Sequence, residues 1–251
     1  MQFAPEGVID IRNKSCLDNG LESKTIDLMV TDPPFGIGFG SEGSYNRNST
    51  SVLSGYNEIQ PEMYFDFTKQ WLSEAKRILK KNGSIYIFSG WTNLSAILVA
   101  LKQLGFTLVN DIIWQYNFGV FCRRRYVTSH YHILYACLDD NKREWYPQSD
   151  DTKAEYADSQ DVWKIDREYW PGAIKTPTKL PRAVIEKILN RSSRPGDLIC
   201  DFFSGSGQVA WASQAMGRNC IAFEIDPTIF AYSQRRFELG KYILFPSDLT
   251  Q

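Results

Sequence analysis

Two hydrophobic periods take turns along the chain. Runs in which almost every position is apolar predict strands buried on both faces at 7–12, 25–30, 84–88, 106–114, 131–138, 198–203 and 220–224. Between them, apolar residues recur at helical spacing. Phe67, Trp71, Leu72, Ala75, Ile78 and Leu79 mark one helix, and Lys80-Lys81-Asn82-Gly83 is expected to close it with cations and a residue tolerant of left-handed backbone. Asn93 is expected to cap a second helix reaching Leu104-Gly105. Pro181 starts a third at 181–190, a fourth covers 208–216 before Gly217, and Pro227 opens a fifth that runs to 240. Strands alternating with helices predict an α/β fold, a single doubly wound and mostly parallel sheet in one domain, 1–251.

Two stretches fall out of this rhythm. Positions 36–60 are rich in Gly, Ser and Asn and read as a mobile loop, placed where it would cover whatever Asp32 does. Residues 139–161 carry eight acids against Lys142, Arg143 and Lys153, and read as a solvated connection too acidic to follow a phosphate backbone alone.

Composition narrows the classes. At 251 residues and 43% hydrophobic content the chain can bury one sizeable core. A formal charge of -1 removes the argument from a globally basic surface, so any phosphate contact must come from a local patch. Arg123-Arg124-Arg125, flanked by Phe121 and Tyr126, is such a patch and a candidate nucleic-acid contact. The five cysteines never stand at two-residue spacing, which suggests neither a disulfide framework nor a zinc site and fits a reducing compartment. With no leader pattern and no run of about 18 apolar residues, the expectation is a soluble cytoplasmic protein without membrane contact. His130 and His132 are too isolated for a metal site.

Two short segments carry chemistry. Asp201-Phe202-Phe203-Ser204-Gly205-Ser206-Gly207 follows a strand and precedes a helix, so its glycines can turn backbone amides toward a ligand. It lacks both the Gly-x-Gly-x-x-Gly and the Gly-Lys-Ser/Thr patterns, which disfavours a dinucleotide or a triphosphate. Glu224 ends the strand after the next helix, where an acid can accept the ribose hydroxyls of an adenosine. A glycine turn and a ribose acid without phosphate-binding cations point to S-adenosylmethionine. In Asp32-Pro33-Pro34-Phe35 two prolines stiffen the chain beside a carboxylate and an aromatic ring, leaving backbone carbonyls to face a substrate.

These residues resemble the amino-methylating DNA methyltransferases, whose signature is Asp/Asn/Ser-Pro-Pro-Tyr/Phe/Trp. The order here, catalytic loop first and Phe-x-Gly-x-Gly loop last, is similar to their permuted beta group, and the likeness runs over nearly the whole chain. It implies a Rossmann-like methyltransferase sheet and direct methyl transfer to the exocyclic amine of a flipped base in double-stranded DNA. It implies catalytic roles for Asp32, Pro33, Pro34 and Phe35, and cofactor contacts from Asp201, Phe203, Ser204, Gly205, Gly207, Glu224, Ser15, Thr176 and Thr178. The chain departs from the family pattern at Phe202 and Gln208, where proline and threonine are usual. It departs again at Lys14-Ser15, where Gly-Asp is usual, and at Thr176-Pro177-Thr178, where His-Pro-Thr is usual.

Asp at position 32 favours adenine N6, with cytosine N4 as the alternative. C5 methylation is disfavoured, because no proline precedes a cysteine. A non-catalytic nucleic-acid-binding member of the same fold is the reading from another class. The resemblance places target recognition in 139–170 or in the loop 36–60. Small as these are, they leave room for a homodimer or a second subunit, and for a cognate restriction enzyme.

Overall fold

The computed structural model describes residues 7–36, 59–117, 119, 121, 123–168 and 179–238. Eight strands form one sheet: β1 (Ile9–Arg12), β2 (Ile26–Thr31), β3 (Leu79–Ser89), β4 (Thr107–Gln115), β5 (His130–Cys137), β6 (Val162–Lys164), β7 (Leu198–Asp201) and β8 (Asn219–Phe223). Across the sheet they run β1-β8-β7-β2-β3-β5-β4-β6. Among the described strands β5 alone is antiparallel to its neighbours. The helices are α1 (Tyr64–Ile78), α2 (Leu94–Gln103), α3 (Thr152–Asp158), α4 (Arg182–Ser192), α5 (Gln208–Ala215) and α6 (Pro227–Glu238).

Strand periodicity divides the core into two layers. Leu28, Val30, Tyr86 and Phe88 face Val184, Ile185, Ile188 and Val209 of α4 and α5, whereas Met29, Ile85 and Ile87 face Trp71, Leu72, Ile97 and Leu101 of α1 and α2. Successive side chains alternate between faces, so a strand covered on both must be apolar throughout. That is why these strands read as unbroken hydrophobic runs.

Three local expectations are corrected. Lys80-Lys81-Asn82-Gly83 does not close α1, because the helix stops at Ile78 and Leu79 already begins β3. The polar residues fill a bulge: the β2–β3 register jumps from Ile26↔Leu79 to Leu28↔Ser84, and Lys80 Nζ pins it to Asp27 Oδ1 at 2.7 Å. Gly83 is required there because a Cβ would lie 2.8 Å from the Asp27 carbonyl oxygen. Asn93 stands at the start of α2 but its side chain makes no capping bond. The acidic connection is not wholly solvated either. Asp151 caps α3 by accepting from the Lys153 and Ala154 amides, and Glu155 and Asp158 pair with the buried Arg191 guanidinium of α4. Behind α3, Trp163 of β6 is buried against the sheet. No described helix is long and apolar enough to cross a membrane.

Candidate active site

From β2 the chain winds outward through α1, β3, α2 and on to β4 and β5. From β7 it winds the other way through α5 to β8. The boundary falls between β2 and β7, and an open α/β sheet gathers its ligands beyond the carboxyl ends of the strands at such a reversal. Both loops singled out from the sequence leave these two strands.

The ends are tied together. Thr31 Oγ donates to Asp201 Oδ1 at 3.1 Å, and the Phe203 amide donates to the same oxygen at 3.0 Å. Beyond the tie, Asp32, Pro34, Asp201, Phe203, Ser204, Gly205, Glu224 and Ser15 line one cleft of about 1160 Å³, counting the part open to solvent. Pro33, Phe35 and Gly207 lie outside its lining. Thr176 and Thr178 fall outside the described residues, as does most of the loop 36–60.

Each position has a local cause. Gly205 adopts φ +52°, and a Cβ there would meet nothing within 4 Å, so the turn leaves room toward the cleft. Glu224 is used twice by the backbone: Oε2 accepts the Gly205 amide at 2.9 Å and Oε1 the Asp226 amide at 2.8 Å. Each carboxylate oxygen keeps a second acceptor site. Gly207 precedes α5 at φ +79°, with its would-be Cβ 3.1 Å from the Phe237 ring, so it serves the turn and the packing of α6 rather than the cleft. Ser15 Oγ accepts the Leu17 amide at 3.2 Å and begins a short 3-10 turn.

The departures from the family pattern have structural counterparts. Phe202 is buried edge-on against Phe223, with ring centroids 5.8 Å apart, and fills the cleft floor. Gln208 donates to the Leu180 carbonyl at 2.9 Å and accepts from the buried Arg236, which also donates to the Ser206 carbonyl. The helix α6 thus braces the glycine turn from behind.

Electrostatics single out the two carboxyl groups at the strand ends. Burial pushes Asp32 up to about 8, the nearby Asp201 charge adds to the rise, and the Arg167 guanidinium opposes it. Asp201 is pushed up to about 7 by burial, against the bonds it accepts from Phe203 and Thr31. Arg167 escaped the sequence reading. It follows β6, where Trp114 Nε1 holds the Ile165 carbonyl at 2.8 Å, and its guanidinium lies 4.3 Å from the Tyr116 ring centroid and 5.3 Å from that of Tyr131. Tyr131 in turn meets the Phe35 ring edge-on at 5.3 Å.

The predicted basic patch is exposed, as are Phe121 at 77% and Tyr126 at 98%. It sits on the β4–β5 loop, which leaves the sheet at the same end as the cleft. His132 is accounted for by Asp111, 3.0 Å away. No cluster of three metal-binding side chains occurs among the described residues.

A family model of N6/N4 DNA methylases matches residues 26–235, which take in both loops and the strands that carry them. The chain belongs to the N6/N4 DNA methylase family. It is 30% identical over 230 residues to the type II methyltransferase M2.DpnII of Streptococcus pneumoniae, covering 87% of this chain and 84% of that one. It is 28% identical to M.HpaI of Haemophilus parainfluenzae, covering 87% of this chain and 70% of that one. Among solved structures, the PvuII cytosine-N4-specific DNA methyltransferase shares the fold at a TM-score of 0.72 and 17% identity, covering 94% of this chain and 90% of that one. The M1.HpyAVI–SAM complex shares it at 0.64 and 21%, covering 91% and 100%.

This DNA methyltransferase is S-adenosylmethionine-dependent, and its cleft fits that cofactor. Ser204 Oγ, on the cleft wall, is buried without a hydrogen-bond partner. Together with the open face of Gly205 and the spare acceptor sites of Glu224, it forms a polar cradle between apolar Phe203, Val209 and Ile229. When bound, S-adenosylmethionine supplies a methyl carbon made electrophilic by its sulfonium.

Proposed function

We propose that this methyltransferase modifies N6 of an adenine swung out of duplex DNA, and that Asp32 and the Pro33 carbonyl accept the two amine N–H groups. The amine lone pair is delocalised into the base, so drawing electron density back to nitrogen and fixing its direction are the tasks left to the protein. The observation that supports this is the shared cleft: Asp32 and Gly205, far apart in sequence, line one cavity. A carboxyl group raised to about 8 also holds a proton well, which suits Asp32 to take the one the amine sheds. Glu224 and Ser204 would hold the ribose and the cofactor backbone, and Ser15 its adenine end.

Arg123, Arg124 and Arg125 would grip phosphates beside the target base, with Phe121 and Tyr126 supplying contact area. The resemblance to type II enzymes supports pairing with a cognate restriction enzyme, and a short recognition sequence would be read by 139–170 or by the loop 36–60. That the PvuII enzyme is cytosine-N4-specific does not decide the base here, since 17% identity speaks to the fold alone.

Asp32→Ala should lose methyl transfer by at least a thousandfold while keeping its affinity for S-adenosylmethionine within a few-fold, measured by tritium incorporation and by calorimetry. Near-normal transfer by that variant would remove Asp32 as the amine acceptor. Nucleoside mass spectrometry of DNA from cells expressing the protein should show N6-methyladenine, and N4-methylcytosine instead would replace the adenine assignment.

A further inference from the structure

Prolines at 33 and 34 take two N–H donors out of the loop that carries Asp32, which leaves its carbonyl groups as the more numerous handles. One side chain does this at the loop's exit. Asn93 Nδ2 donates to the Phe35 carbonyl at 2.6 Å and to the Gly36 carbonyl at 3.1 Å, using both of its hydrogens. Its own helix gets no capping bond from it. The surroundings are shaped to the same end. Gly36 adopts φ +64°, and a Cβ there would lie 2.4 Å from the Tyr64 ring and 2.9 Å from Asn93 Nδ2. On the other side, the Phe35 ring lies over Gly90, whose Cβ would come within 3.4 Å of it, and against Tyr131. Held at carbonyl and ring, Phe35 has little freedom, and Asp32 three residues earlier inherits that rigidity.

We propose that Asn93 is a positioning residue for methyl transfer, a clamp that fixes the exit of the 32–36 loop so that Asp32, which lines the cleft, keeps its place there. The proposal rests on the role given to Asp32 above. A misplacement of about 1 Å at a reacting pair can cost on the order of a hundredfold in rate, and the clamp therefore shows in the chemical step rather than in binding.

Asn93→Asp is the informative substitution, because aspartate starts a helix as well as asparagine does but turns acceptors toward the two carbonyls. Single-turnover methyl transfer is expected to fall by roughly 30-fold or more. The dissociation constant for S-adenosylmethionine and the thermal midpoint should stay near wild type. Asn93→Ser, which retains one donor, should recover part of the rate. A rate within threefold of wild type for Asn93→Asp would overturn the clamp, and so would a parallel loss of cofactor affinity and thermal midpoint in both variants. If the wild-type protein binds S-adenosylmethionine yet methylates no duplex, the functional reading fails instead. The clamp is then read from carbonyl-¹³C phenylalanine spectra, in which Asn93→Asp must move the Phe35 resonance, and an unmoved resonance overturns it.

Discussion

Asp32 occupies a position where three demands meet: it ends a buried strand, it faces Asp201, and it lies within the field of Arg167. Burial and the second carboxyl favour the protonated form, and the guanidinium favours the charged one. In the proposed role an ionised Asp32 is the stronger acceptor for amine hydrogens, so its charge state would set the pH range of activity. Arg167→Met removes the positive charge that holds its pKa down. The pKa rises, and the ascending limb of single-turnover rate against pH should move to higher pH by about one unit or more, with Arg167→Lys nearer to wild type. An unmoved limb, with weakened DNA binding instead, would assign Arg167 to the DNA. No motif in the sequence points to this arginine: it lies between Asp166 and Glu168, and only the fold sets it on the Tyr116 and Tyr131 rings. Asn93 was visible but misread, since asparagine before an apolar run fits a helix cap as readily as a clamp.

Elements were legible to the extent that burial is two-sided. The core strands could be placed from their apolar runs because both faces meet helices. The first residues of β3 could not, as a bulge clipped by the Lys80–Asp27 pair looks in one dimension like the polar end of a helix. Neither α3 nor β6 was foreseen. The acids of α3 serve Arg191 across a tertiary contact, and β6 has three residues, too few to show a period. The glycine turn before α5 combines both kinds of information, its composition readable and its packing not. Gly207→Ala puts a Cβ into left-handed backbone against the Phe237 ring. It should cost roughly 1–2 kcal/mol, which for a domain this size lowers the thermal midpoint by about 3–6 °C. Weaker S-adenosylmethionine binding should accompany it in calorimetry, and a variant with unchanged midpoint would show that α6 yields without cost.

For the molecule as a whole, the balance of charge decides how DNA is met. With a net charge of -1, the proposed attraction to DNA comes from the local patch on the β4–β5 loop, at the end of the sheet where the cleft opens. Replacing Arg123, Arg124 and Arg125 together by alanine should weaken binding across all sequences. It should also reduce the slope of log affinity against log salt by about 2–3, measured by fluorescence anisotropy on duplex DNA. A slope that does not change would place the phosphate contacts elsewhere. The reversal between β2 and β7, which makes the site, could be anticipated in kind from the two loops, but the order of the strands could not, because pairings such as β1 with β8 join residues more than two hundred positions apart.

That last pairing bears on how the molecule is made. Translation delivers domains from the amino terminus at roughly 5–20 residues per second, so β2 to β5 emerge well before β7, α5 and β8 exist. A ribosome halted before residue 198 carries the acid of the Asp-Pro-Pro-Phe loop but neither the Gly205 turn nor the strand that β1 must join. A nascent chain of that length therefore lacks most of the cleft wall, and the pocket that pairs Asp32 with Gly205 and Glu224 waits for residues 198–224.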